Sequence, residues 1–186
     1  MSTTGAGPDA LGAKFIERCR YYLGEEYPAK IRAVLEVIPD EALWWRPNIW
    51  SNSVGNLVLH LCGNVRQWVV SGVGGVTDVR RRDEEFAARE GYSAQELRGI
   101  LDATIREVEA TLAALPVDEL MKQRLIQGRD TLVMSALFHV VEHFSTHTGQ
   151  IVWLGKMWSG AGSIRFYDDA NNAAPLFLGP GRSDIQ

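Results

Sequence analysis

Apolar residues, among them Val140, Ile151 and Leu154, recur at helical spacing in one long segment of the chain, bounded by Asp130 and Trp158. This periodicity is typical of a helix with one buried side. Asp130 is a suitable N-cap, and the residues SGAGS after Trp158 are a stop signal. We therefore predict a helix from about Asp130 to about Trp158.

Three other segments have the same periodicity, at about residues 10–37, 53–72 and 92–115. Gly24 and Pro28 are expected to kink the first of these helices or to split it in two. The three segments and the one above predict four long helices. None of the intervening sequence resembles a convincing pair of strands.

Helix starts are marked by capping residues. Ser53 is expected to cap the second helix, and Ser93 with Glu96 forms the pattern of a capping box before the third. With four long helices and no strand pair, the predicted fold class is all-α, a four-helix bundle with an irregular C-terminal tail.

A chain of 186 residues is of the right size for one domain with an appended tail. We predict a disordered leader at residues 1–9, the bundle at 10–158 and a tail at 159–186. Part of the tail is expected to dock on the bundle through its apolar residues, which are Phe166, Tyr167, Leu176, Phe177 and Leu178.

Composition limits the classes of partner. The net charge of −4 gives no reason to expect nucleic acid, and no apolar stretch is long enough to span a membrane. The basic run at 79–82 is followed at once by Asp-Glu-Glu at 83–85, which predicts a solvated loop whose charges compensate each other. Cys19 and Cys62 form no motif, so we expect reduced thiols and a cytoplasmic protein.

Three of the four histidines lie four residues apart in the fourth predicted helix, at His139, His143 and His147. Neighbouring members of this series can share one metal ion, whereas His139 and His147 are separated by about 12 Å along the axis. His143 and His147 lie on the apolar side of the helix. Buried imidazoles need polar partners or a cation, so this pair is a candidate for two ligands of one divalent metal ion.

His60 is the natural third ligand. It belongs to a polar stripe of the second helix that contains amides and no charged residue, namely Ser53, Asn56, His60, Asn64 and Gln67. Such a stripe favours the wall of a polar cavity over a solvent-facing surface. Gln150 lies on the same side of the helix as His143 and is expected to orient a ligand or a bound water. Asn56, Asn64 and Gln67 are expected to be positioning groups, and His139 a supporting or packing residue.

Two other interpretations of these residues remain. The histidines can be structural, each satisfied by hydrogen bonds in the core. The letters HVVEH at 139–143 also match the H-x-x-E-H motif of inverted zinc peptidases. The chain has no Glu after Glu142 to complete such a site, so we expect Glu142 to be a surface or helix-contact carboxylate.

The segments NSVGNLVLHLCGNVRQWV and HVVEHFSTHTGQI together resemble the DinB/YfiT-like superfamily over about residues 10–158. This superfamily includes metal-dependent thiol S-transferases. The resemblance implies a four-helix bundle, often a homodimer. It also implies one divalent ion, zinc or nickel, whose ligands are His60, His143 and His147 by position in the two motifs.

The resemblance and the ligand set together favour a thiol-dependent S-transferase that uses a low-molecular-weight thiol and a small-molecule substrate. A divalent ion with three neutral ligands is a strong Lewis acid that acidifies a bound thiol or water. Two alternatives remain open. One is a metal-dependent hydrolase of small esters or amides, and the other is a bundle that binds a metal or small ligand without turnover.

Overall fold

The elements of the chain follow the predicted helices closely, with additional short elements between them. The computed structural model describes residues 7–160 and 162–167. In chain order the elements are α1 (Pro8–Tyr21), a π-helical turn (Tyr22–Glu26), α2 (Tyr27–Val37), α3 (Asp40–Leu43), α4 (Val54–Val65), a π-helical segment (Arg66–Val73), α5 (Arg82–Ala87), α6 (Ala94–Ala113), a 3₁₀ turn (Val117–Met121), β1 (Gln123–Ile126), β2 (Arg129–Leu132) and α7 (Val133–Trp158).

The first long helix is continuous from α1 through the π-helical turn into α2. Pro28 lies in the first turn of α2, where its missing N–H is tolerated, and Gly24 lies inside the π-helical turn. The predicted irregularity is therefore a change of helical pitch rather than a break. The helix begins at Pro8, two residues before the predicted start at Ala10.

The fold is a helical bundle, as predicted. α2 packs against α6 and α7, and α4 packs against the same two helices. Each long helix contributes its apolar stripe to one core, which includes Ile31, Leu61, Leu97, Leu101, Phe144 and Ile151. Burial of these side chains is the main source of stability. The contact between α4 and α7 brings the two histidine-bearing helices together.

A small two-stranded sheet precedes α7, and it contradicts two predictions. β1 and β2 pair antiparallel, with Ile126 opposite Arg129. The connecting residues Gln127 and Gly128 have φ of 53° and 74°, as a two-residue hairpin turn requires. The expectation of no strand pair is thus wrong. Asp130 is part of β2 rather than a helix cap, and α7 begins at Val133.

Both predicted capping positions are confirmed. The Ser53 hydroxyl accepts a hydrogen bond from the amide of Asn56 at 3.1 Å. The Ser93 hydroxyl accepts one from the amide of Glu96 at 3.2 Å, and the Glu96 carboxylate accepts one from the amide of Ser93 at 2.8 Å. These reciprocal bonds satisfy amides that the first turn of each helix leaves without a partner.

Replacing Ser93 by alanine removes one of these caps at an exposed position, so the cost is expected to come from α6 alone. We expect the free energy of unfolding to fall by about 1 kcal/mol, measured by urea denaturation. The control is Ser135→Ala on the exposed side of α7, where no cap is lost and alanine favours the helix. An equal loss in both variants would contradict the capping role.

Three further features bear on the remaining predictions. Cys19 and Cys62 are free and buried, as expected. No helix in the described residues has the length and apolar character that crossing a membrane requires. After α7, Ile164 is buried and Phe166 packs against the core. Residues 1–6 of the predicted leader, and Leu176, Phe177 and Leu178 of the predicted tail, lie outside the described residues.

Candidate metal centre

Three histidines from two helices converge in the interior of the bundle. His60 projects from α4, and His143 and His147 project from successive turns of α7. The Nε2 atoms of His60 and His143 are 2.9 Å apart. One ring nitrogen from each of the three residues lies within 4.8 Å of the other two, a group able to hold one metal ion. The structure therefore brings together the three side chains predicted as ligands.

The outer ring nitrogens of two of these histidines are fixed by acceptors. His147 Nδ1 lies 2.7 Å from Gln150 Oε1, and His60 Nδ1 lies 3.0 Å from Glu85 Oε2. Both oxygens can only accept, so a hydrogen bond to either of them requires the proton on Nδ1 and leaves the lone pair on Nε2. Arg80 Nη2, which can only donate, also lies 3.1 Å from His60 Nδ1 and competes with Glu85 for that nitrogen. The lone pair is what a metal ion requires from histidine.

The short distance between His60 Nε2 and His143 Nε2 tests whether this donor set suits a cation. The two ring nitrogens at 2.9 Å share a hydrogen bond in which one imidazole donates and the other accepts, and a cation can replace that proton. His60 is 5% exposed and therefore has almost no access to water. Three imidazole nitrogens are a ligand set typical of zinc and nickel. The residues present thus fit the divalent ion that the resemblance implies.

Burial keeps His143 and His147 in the neutral, metal-binding form. Burial, followed by the neighbouring His147 and His60, lowers the pKa of His143 to about 3. Burial also lowers the pKa of His147, although its hydrogen bond with Gln150 acts in the opposite direction. Protons therefore compete weakly with a metal ion for these nitrogens at neutral pH.

A buried ion pair stands beside His60, where the sequence predicted a solvated loop. Arg80 Nε donates to Glu85 Oε1 and its terminal nitrogen to Glu85 Oε2, both at 2.8 Å. The side chains of Arg80 and Glu85 are only 4% and 10% exposed. The prediction of a solvated loop is therefore wrong for these two residues, although Arg81 and Glu84 are exposed as expected.

The hydrogen bonds of the pair determine the charge of the Glu85 carboxyl. Burial acts to raise the pKa of the Glu85 carboxyl, but hydrogen bonds from Arg80 and His60 outweigh burial, and the pKa is lowered. Glu85 is therefore ionised next to His60. No local pattern distinguishes Arg80 and Glu85 from the charged residues around them, and only the packing of α5 against α4 does so.

Gln150, Asn56 and Gln67 were also predicted to line the site, and the structure gives each of them different contacts. Gln150 contacts His147 as expected for an orienting group. Asn56 donates to the carbonyls of Glu85 and Ala88, so it anchors the α5 segment instead of facing the three histidines. Gln67 accepts from Arg80 at 2.9 Å, one contact further out.

Asn64 and His139, two further residues predicted to support the site, make no hydrogen bond to the three histidines in the described part of the chain. Asn64 is buried and its Oδ1 has no hydrogen-bond partner. His139 packs its ring on Trp68 with centroids 4.4 Å apart, which agrees with a packing residue. Glu142 is exposed on α7, as expected of a surface carboxylate.

Comparison with solved structures identifies the class to which this bundle belongs. A DinB-like protein from Bacillus cereus ATCC 10987 is 18% identical with a TM-score of 0.60, and the alignment covers 78% of this chain and 91% of the other. A DinB-like protein of Bacillus subtilis, YjoA, is 17% identical with a TM-score of 0.58 and coverage of 80% and 94%. The chain therefore has the DinB-like fold, and the resemblance inferred from the motifs is confirmed.

The family follows from the sequence itself. Residues 11–164 match the model of the DUF1572 family, which is described as a protein of unknown function. The chain belongs to this family. No functionally curated protein matches the sequence.

Proposed function

We propose that this protein is a divalent-metal-dependent S-transferase that joins a low-molecular-weight thiol to a small electrophile. The metal is zinc or nickel, and its ligands are His60, His143 and His147. One observation carries the proposal: the three ring nitrogens lie within 4.8 Å of one another in a largely buried site. A bound divalent ion supplies a Lewis acid that lowers the pKa of a coordinating thiol.

The protein contributes the orientation and charge of the ligands. His60 and His147 each hold a proton on Nδ1, through Glu85 and Gln150, and so direct Nε2 inward. An imidazole ligand carries no negative charge, so a cation held by these three residues would keep its full charge for an anionic sulfur.

A cavity that Gln150 links to His147 supports an enzyme over a closed metal-binding site, although none of the three histidines lines it. Gln150, which touches His147, also lines a cavity of about 280 Å³ whose walls include Trp50, Trp153 and Leu57. Trp50 is 90% exposed and Trp153 is 60% exposed. Exposed aromatic surface at a cavity suits an apolar or aromatic electrophile.

The proposed reaction balances without any further reactant. The sulfur of the thiol forms a bond to the electrophilic carbon while the bond from that carbon to its leaving group breaks. The thiol proton departs with the leaving group. Gln150 and the two tryptophans hold the electrophile beside the sulfur, so proximity accounts for part of the rate.

The test is a transferase assay on metal-loaded and chelator-treated protein, with bacillithiol, mycothiol or glutathione and an aromatic halide as electrophile. We expect thiol conjugation that is lost on chelation and restored by zinc or nickel. Trp153→Ala is expected to raise KM for the electrophile while retaining metal. Its matched control is Trp158→Ala, a residue that packs against Trp45 outside the cavity.

Two outcomes would contradict the transferase. Hydrolysis of esters or amides without a thiol would assign the site to a hydrolase. Bound metal without turnover of any thiol and electrophile pair would assign it to metal or ligand binding alone.

A further inference from the structure

The ion pair of Arg80 and Glu85 makes more hydrogen bonds than a purely structural role in a surface segment requires. Arg80 approaches the Glu85 carboxylate with two nitrogens, and His60 Nδ1 lies 3.0 Å from the same carboxylate and 3.1 Å from Arg80 Nη2. Protonation of His60 at Nδ1 pairs that nitrogen with Glu85, because a carboxylate only accepts. Gln67 accepts from another nitrogen of Arg80. We refer to Arg80 and Glu85 together as the buried pair.

The backbone around the buried pair is also held in place. Asn56, fully buried in α4, donates to the carbonyls of Glu85 and Ala88 at 2.8 and 2.9 Å. Arg46 donates to the carbonyl of Phe86 at 3.2 Å. The Phe86 ring lies against His60 with centroids 4.6 Å apart. The C-terminal end of α5 is thus fixed by residues distant from it in sequence.

A glycine makes room for the carboxylate. A Cβ atom at Gly63 would lie 1.9 Å from Glu85 Oε1, closer than any real contact. Gly63 lies inside α4, where glycine is unfavourable by comparison with alanine. The helix therefore carries a conformationally costly residue at the one place where Glu85 approaches His60 and α4.

We propose that Glu85, held by Arg80, is a positioning residue that fixes His60 as a metal ligand before the metal binds. Glu85 accepts the Nδ1 proton of His60 and so keeps the Nε2 lone pair directed at His143. Arg80 holds the carboxylate in place with two hydrogen bonds. This inference rests on the proposed metal centre and adds to it a residue outside both histidine motifs.

Energetics argue against stability as the sole role of the buried pair. Desolvating two opposite charges offsets most of their attraction, so a buried pair contributes little compared with apolar residues of similar size. Removing only one partner leaves an uncompensated buried charge and can unfold the protein. The variant that tests the role must therefore replace both residues together.

The test compares zinc affinity by competition with a chromophoric chelator. Arg80→Met with Glu85→Leu removes the acceptor of His60 without leaving a buried charge. Gly63→Ala displaces the carboxylate and changes no charge. The control is Arg81→Met with Glu84→Leu, an exposed pair of the same residue types, 3.0 Å apart in the same segment. We expect both test proteins to bind zinc about 10- to 100-fold more weakly than wild type, and the control to be unchanged.

A second measurement detects positioning rather than folding. Nitrogen-15 NMR of the metal-free protein is expected to show one tautomer of His60, protonated at Nδ1, in the wild type and control. A mixture of tautomers is expected in the Arg80→Met, Glu85→Leu double variant. Zinc affinity within threefold of wild type, together with a single His60 tautomer in that variant, would overturn the inference.

Failure of this inference is distinguishable from failure of the metal centre. If wild type and control bind zinc and the test variants bind it equally well, the positioning role alone is wrong. If wild type itself binds no zinc, both the metal centre and the positioning role are wrong.

Discussion

Wild-type protein purified without added metal is expected to contain about one zinc or nickel ion per chain, and His60→Ala, His143→Ala and His147→Ala to contain almost none. Each substitution removes one of three neutral ligands. The two that remain cannot close the coordination of the ion. Loss of a residue that only orients a ligand costs about 10- to 100-fold in affinity, so loss of a ligand is expected to cost more than 100-fold.

His139→Ala is the matched control for these three variants. His139 lies one turn before His143 on the same helix, with ring centroids 5.6 Å apart, but it packs on Trp68 outside the group of converging nitrogens. Its replacement is expected to leave the metal content unchanged. The measurement is inductively coupled plasma mass spectrometry with protein concentration from amino-acid analysis.

Two results would contradict the metal centre. Wild-type protein that is empty and cannot be loaded, with all four variants differing only in thermal stability, would make the histidines structural. Loss of metal from His139→Ala together with retention of metal in His147→Ala would move the site one turn along α7 and exclude His147 as a ligand.

The long helices are the part of the fold that could be predicted from the sequence, because their periodicity is visible in it. In α4, α6 and α7 the burial of one face requires apolar residues at three- and four-residue steps, and that requirement is visible in the sequence. The hairpin before α7 carries no comparable pattern. Leu125 is 73% exposed in β1, so strand alternation is weak, and the turn depends on Gln127 and Gly128 alone.

The candidate site also contains residues that could be predicted from the sequence and a residue that could not. His143 and His147 are linked by helical geometry, and His60 stands in an uncharged polar stripe, so all three could be selected from sequence. Glu85 could not, because its burial arises from the packing of α5 on α4 and from the space at Gly63. Charged residues of the same types surround Glu85 in the segment 79–85, and for that reason the sequence predicted a solvated loop there.

Phe144→Ala is expected to have the largest effect on stability. Phe144 follows His143 in α7, is fully buried, and stacks on Tyr27 of α2 with ring centroids 6.4 Å apart. Truncating a buried phenylalanine removes its apolar contacts and leaves a cavity, at a cost of about 3–5 kcal/mol. That is a large part of the roughly 5–15 kcal/mol by which domains are stable.

The measurement is urea denaturation followed by tryptophan fluorescence, with chelator present so that metal binding adds nothing to the native state. Phe138→Ala is the control, because Phe138 lies on the same helix but is 65% exposed, and its replacement is expected to change stability by less than about 0.5 kcal/mol. Equal effects of the two substitutions would mean that Phe144 does not anchor the packing of α7 against the core. Since α7 carries both His143 and His147, its seating against α2 and α4 determines whether the two imidazoles reach His60 at all. Loss of metal in Phe144→Ala at temperatures where the chain is still folded is therefore expected to follow from a displaced helix, with the three ligands themselves intact.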